Sequence, residues 1–280
     1  MAIKAFIQRS VLGLVVLAGL VPLFYFVSVE VEMVQAQSQD SATGPGTMMS
    51  YDRTVENMAF GVGERLHFDI NYGFINAGTA TMEVQNLIEY NERPCYQIVT
   101  RALSNDFFST FYKVEDRVES IVDAVGLFSW RFEKNLREGG YKADQMYTFD
   151  QERNLVFYDD DSLSTAPVVQ DALSALYFVR TQTLTVGQSL YVDNFTDGEN
   201  YPLEVRVVKR ETIEVDAGRF DCIVVEPVLQ AAGVFKHEGR LKVWLTDDRL
   251  KMPVLMKSKV LVGSISAELT DYQLGEIEVF

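Results

Sequence analysis

Apolar and polar residues alternate one by one along most of the chain from Phe60 onward. That is the period of a half-buried β-strand, because successive side chains point to opposite faces of a sheet. Runs 67–72, 79–84, 96–102, 111–122, 130–136 and 146–149 read as strands, with residues 73–78 as a connecting turn. A second series follows at 190–194, 203–209, 212–215, 222–227, 239–245, 254–260 and 265–272. One segment departs from this period. After Pro167, the apolar residues Val169, Leu173, Leu176 and Val179 recur at helical spacing, predicting an amphipathic helix over 168–180 that packs on a sheet.

The helix separates two halves that look alike. Val62-Gly63-Glu64-Arg65-Leu66 matches Val186-Gly187-Gln188-Ser189-Leu190, at an offset of 187 − 63 = 124. Phe111-Tyr112-Lys113 matches Val234-Phe235-Lys236 at 235 − 111 = 124, and Cys95 matches Cys222 at 222 − 95 = 127. A nearly constant offset predicts an internal repeat. The expected fold is mainly β: two repeated curved antiparallel sheets, about 60–160 and 186–275, forming a sandwich or open barrel with one amphipathic helix between the halves. Cysteines in equivalent strands need not be neighbours, so Cys95 and Cys222 read as buried thiols rather than a disulfide.

One hairpin is specific enough to predict in detail. With a turn centred near Val125, paired residues between 111–123 and 128–138 have numbers that sum to 250. Arg117 then faces Glu133, and Glu119 faces Arg131. On the apolar face Val114 meets Leu136, Val118 meets Phe132, and Ser120 meets Trp130. Asp116 and Lys134 are the charged exceptions on that face. Set opposite each other they form either a satisfied buried pair or a polar spot that orients a ligand head group.

The start of the chain has a different character. Lys4 and Arg9 precede an uncharged, apolar run at 11–29, and Val34-Gln35-Ala36 resembles a cleavage site. Residues 1–36 read as a signal peptide or an N-terminal membrane anchor, 37–59 as a flexible linker containing Gly44-Pro45-Gly46, and 60–280 as the β-rich domain. Both versions place the domain in the periplasm or otherwise outside the cytoplasm, with membrane contact only through the N-terminal segment. The net charge of −15 over 280 residues argues against nucleic acid and against docking on anionic lipid through a basic patch.

Several segments resemble an exported bacterial family known only as a domain of unknown function, DUF3108. The resemblance is carried by Phe111-Tyr112-Lys113-Val114-Glu115-Asp116-Arg117-Val118-Glu119-Ser120 and, most specifically, by Arg131-Phe132-Glu133-Lys134-Asn135-Leu136-Arg137-Glu138-Gly139-Gly140-Tyr141. Gly63-Glu64, Asp171-Ala172-Leu173-Ser174-Ala175-Leu176-Tyr177 and Trp244-Leu245-Thr246-Asp247-Asp248 also fit. The resemblance implies a β-rich exported domain and supplies no activity, cofactor or catalytic residue.

Recognisable catalytic chemistry is sparse. His67 and His237 lie in no metal-ligand spacing, the two cysteines form no C-x-x-C, and nucleophile elbows and phosphate loops are missing. Asp159-Asp160-Asp161 lacks the spacing of a calcium loop and reads as a solvated loop. No metal and no cofactor are expected. The candidate ligand-binding residues are the inward aromatics Tyr72, Tyr112, Trp130 and Phe132, with Asp116 and Lys134. The leading functional expectation is a non-enzymatic envelope protein that holds a lipid, a lipid-linked precursor or an envelope polymer between its halves. The alternatives are an assembly factor that grips an envelope protein through sheet edges, and a carboxylate-based enzyme acting on glycans.

Overall fold

The computed structural model describes residues 51–159, 161–196, 198–228, 241–259 and 263–280. The predicted signal or anchor segment, most of the linker, and the repeat match at Val234-Phe235-Lys236 lie outside the described residues.

The first half contributes β1 (Arg65–Tyr72), β2 (Ile75–Tyr90), β3 (Arg93–Ser104), β4 (Glu115–Asp123), β5 (Ser129–Glu138), β6 (Tyr141–Asp150), β7 (Leu155–Tyr158) and β8 (Asp161–Ser164). The second contributes β9 (Ser189–Thr196), β10 (Glu199–Val215), β11 (Gly218–Val228), β12 (Leu241–Thr246), β13 (Pro253–Lys259) and β14 (Ser264–Gln273). A short helix α1 (Asp106–Ser109) lies between β3 and β4, and α2 (Ala172–Thr181) lies between the halves. Strand starts recur at a fixed distance: β9 follows β1 by 189 − 65 = 124 residues, and β13 follows β5 by 253 − 129 = 124.

All the strands join one antiparallel sheet of 14 strands, ordered β8-β7-β6-β5-β4-β3-β2-β1-β14-β13-β12-β11-β10-β9. This corrects the expected pair of sheets. The halves meet edge to edge through β1 and β14, where Arg65 pairs with Gln273 and Tyr72 with Ile265. Among the described residues there is no second sheet to make a sandwich, and the sheet ends at β8 and β9 without closing into a barrel. The physical reason is that alternation gives each strand one apolar face but does not say what covers it. That face packs in part against α2, where Leu173, Tyr177 and Val179 are buried, and Phe195 of β9 packs on Phe149 of β6 with ring centroids 5.9 Å apart.

Local chemistry explains the boundaries. β1 buries Leu66, Phe68 and Ile70, every second residue. Asn91 and Glu92, both at positive φ, make the tight two-residue turn from β2 to β3. α2 starts later than the spacing predicts because Asp171 caps it, accepting the amides of Leu173 at 2.7 Å and Ser174 at 2.8 Å. The segment expected to be an acidic loop instead contributes Asp161 to the edge strand β8, all of whose residues are exposed.

The predicted hairpin register is wrong by two residues. Arg117 pairs with Asn135, Val118 with Lys134, Glu119 with Glu133 and Ser120 with Phe132, so the numbers sum to 252. The Asp123 carboxylate accepts the amides of Val125 and Gly126, Leu127 takes a positive φ, and the ladder slips between Ile121 and Val122. Glu119 and Glu133 therefore face each other, each bonded by an arginine of its own strand, Arg117 and Arg131. A shift of two leaves the faces unchanged, so Asp116 and Lys134 both remain buried. Cys95 and Cys222 are buried free thiols on β3 and β11.

Candidate functional site

The structure scatters the residues singled out from the sequence. Phe132 belongs to the main core and stacks on Tyr147 at 6.4 Å. Trp130 falls at the ladder slip and joins a second, smaller cluster with Cys95, Ile121 and Phe128, where its indole N–H donates to Asp123 at 3.1 Å. Lys134 is fully buried on β5, opposite Val118 rather than Asp116. Tyr72 is half-buried at the end of β1. Tyr112 and Asp116 do come together, with a residue that sequence reasoning passed over, Glu138. The Tyr112 ring lies on Gly139, where an added Cβ would stand 2.7 Å from Cε2. Burial pushes the Tyr112 hydroxyl and the Asp116 carboxyl up from their ordinary ranges. Burial, reinforced by the neighbouring Asp116 charge, takes Glu138 up to about 8.

These three residues lie at the foot of an apolar end of the sheet. Gly73, with φ of 61°, turns β1 into β2 and leaves Phe74 fully exposed, with Ile75 exposed beside it. Between β3 and β4, Asn105 caps α1 by accepting the Phe108 amide at 2.9 Å. Its side chain also donates to the Asn76 carbonyl at 2.8 Å, which ties the two connections together. Phe107 is 65% exposed and Phe111 73%, and their rings meet edge to face at 5.5 Å. Leu103, 49% exposed, completes the group.

At this end lies a shallow recess of about 10 Å³, open to solvent, lined by Ile70, Ala77, Ala102, Leu103, Phe108 and Val114 among others. Its floor includes Gly78, where a Cβ would stand 2.1 Å from the Leu103 carbonyl oxygen, so only glycine leaves that space. That is far below the roughly 300–1,000 Å³ of pockets that enclose a ligand, so the recess is a surface dimple rather than a binding cavity. Five large apolar side chains in contact with water at one end of a rigid sheet are the usual mark of a contact surface. Among the described residues no group of three or more His, Cys, Asp and Glu is placed to hold a metal ion.

A turn-rich segment that carries aromatics was the available signal. Gly73-Phe74 and Asn105-Asp106-Phe107-Phe108 place phenylalanine where polar residues ordinarily stand.

The family model described as "Protein of unknown function (DUF3108)" matches residues 67–270. No curated protein matches the chain. Among solved structures, the fold is similar to that of a protein described as β-barrel-like, of the domain of unknown function DUF1849, from Brucella abortus. The identity is 12% and the TM-score 0.50, over 78% of this chain and 100% of that one. A DUF1089 family protein from Pseudomonas aeruginosa aligns at 9% identity and a TM-score of 0.37, over 64% of this chain and 89% of that one.

Proposed function

The chain belongs to the DUF3108 family, and from that premise we propose that it is a non-enzymatic, extracytoplasmic binding domain that engages an apolar or amphipathic envelope ligand with the aromatic end of its sheet. The observation that carries this is the exposure of Phe74, Phe107 and Phe111 at one end of the sheet. An apolar ligand such as an acyl chain lies across these rings rather than inside the recess. The basic start and apolar run of the sequence support export. Among the described residues no helix is long and apolar enough to cross a membrane.

The described chain begins at the far end of the molecule. Arg53 donates to the Gly126 and Leu127 carbonyls at the turn after β4, whereas α1 and Phe111 precede the start of that strand. A nine-residue strand spans about 30 Å. The aromatic end therefore lies at the opposite end of β4 from Arg53.

Native mass spectrometry of the protein purified from its own envelope tests the reading. An amphiphile that copurifies with the wild type and is lost from Phe74→Ser/Phe107→Ser supports it, and equal retention by both contradicts it. A second reading is a protein partner added to the sheet edge, which the full exposure of β8 favours. Proline at Leu163 should then release that partner while the aromatic substitutions leave it bound.

A further inference from the structure

Two acids sit side by side in the interior beneath the aromatic end. Asp116 on β4 and Glu138 on β5 are 4% and 2% exposed. Asp116 Oδ1 accepts the Arg137 amide at 2.7 Å, and Glu138, the next residue of β5, is buried on the same face beside it. No N–H or hydroxyl reaches the buried Glu138 Oε2. Two ionised carboxylates side by side in an apolar site repel, and one proton on either of them removes that repulsion.

Arg137 favours the ionised form of Asp116, whereas the charge acting on Glu138 is the like charge of Asp116. The Arg137 guanidinium is directed to Asp144 and to the Leu136 and Ala143 carbonyls. Lys113 is bonded to Glu115 in solvent. Lys134 lies on the same face four residues back along β5. The neighbouring strands present Ala102 from β3 and Tyr141 from β6 at these positions, and Tyr112 covers the pair from the α1–β4 connection.

The pair is also mechanically joined to the recess. Val114 bridges Glu138, the Gly139 amide donates to Lys113 at 2.7 Å, and the Tyr112 amide donates to Phe108 at 2.8 Å. Val114 and Phe108 line the recess.

We propose that one proton shared by Asp116 and Glu138 keeps the α1–β4 connection seated, and that its loss frees Phe107, Phe108, Phe111 and Tyr112 and so remodels the aromatic end. The opening exposes the carboxyl to water, where its affinity for the proton drops, so opening and proton release are linked. That this movement controls ligand binding rests on the reading given above. The movement itself does not.

Hydrogen exchange of amides 105–114 and 139, corrected for the intrinsic rate, is the test. In the wild type the opening equilibrium rises by about tenfold per pH unit from about pH 5 to about pH 8 and levels off above that. In Glu138→Gln the rise is smaller and ends at lower pH, because only Asp116, raised by burial, remains to titrate; in Asp116→Asn it is reduced but persists, because burial alone still raises Glu138. A flat wild-type profile overturns the proposal, as does a wild-type slope undiminished in both variants. Exchange that follows the predicted pattern, combined with ligand binding indifferent to Phe74→Ser/Phe107→Ser, leaves the proton latch standing and rejects the binding site.

Discussion

Arg180 and Glu64 meet as a two-pronged ion pair in the interior, with both guanidinium nitrogens 2.7 Å from the carboxylate oxygens and neither side chain more than 1% exposed. The guanidinium also donates to the carbonyls of Ala59 at 3.1 Å and Leu250 at 3.2 Å, and it lies over the rings of Phe60 and Tyr177. One side chain of α2 thus ties together the approach to β1 and the loop before β13. Removing one partner strands a buried charge, so Arg180→Met should destabilise the fold by about 3–5 kcal/mol. Urea unfolding checks this, and Arg180→Met combined with Glu64→Leu should recover much of the loss.

Asp171 is a second interior anchor. Its carboxylate receives the hydroxyls of Ser120 and Ser129 as well as the two amides of the helix start. Asp171→Ala leaves all four donors without their acceptor and should cost about 3 kcal/mol in thermal or urea unfolding, since a helix cap alone contributes about 1 kcal/mol and each bond to a charged group somewhat more.

The carboxyl pair predicts a pH dependence of whole-molecule stability. Glu138 holds its proton more tightly folded than unfolded, so its contribution is complete below the ordinary carboxylate range and is lost as pH rises toward about 8. Urea midpoints from about pH 5 to about pH 9 should fall more steeply for the wild type than for Glu138→Gln. Glu138→Gln should be the more stable protein at the alkaline end.

Cys95 and Cys222 should resist alkylation in the native state. Burial pushes both thiols up to about 12, and neither is paired. Both should label with iodoacetamide once the chain is unfolded, without added reductant. A disulfide in the purified protein would contradict this assignment.

The strands and their faces were legible in the sequence where a period of two sufficed. Phe132, Lys134, Leu136 and Glu138 alternate with half-buried neighbours as the pattern requires, and a slip of two residues does not change that. The register was not legible, because it depends on the Asp123 carboxylate holding the turn and on the left-handed Leu127. Nor was the joining of the halves. The pairing of Arg65 with Gln273 is set by contacts far apart in the chain, and alternation within either strand is the same in a sandwich, a barrel or one open sheet. Tyr112 and Asp116 were marked by their positions on the inward face. Their partner Glu138 stood in a resembling segment without a chemical reason to single it out, and Phe74 was hidden in what read as an ordinary turn.

The aromatic end is tested most directly by titrating a fluorescent acyl-chain probe into the purified protein and into Phe74→Ser/Phe107→Ser. These exposed positions bear little of the fold's stability, so the variant should unfold within about 0.5 kcal/mol of the wild type. Saturable probe binding by the wild type that weakens at least about tenfold, or about 1.4 kcal/mol, in the variant is the predicted result. Undiminished binding by the variant, or no saturable binding by the wild type, would contradict the assignment.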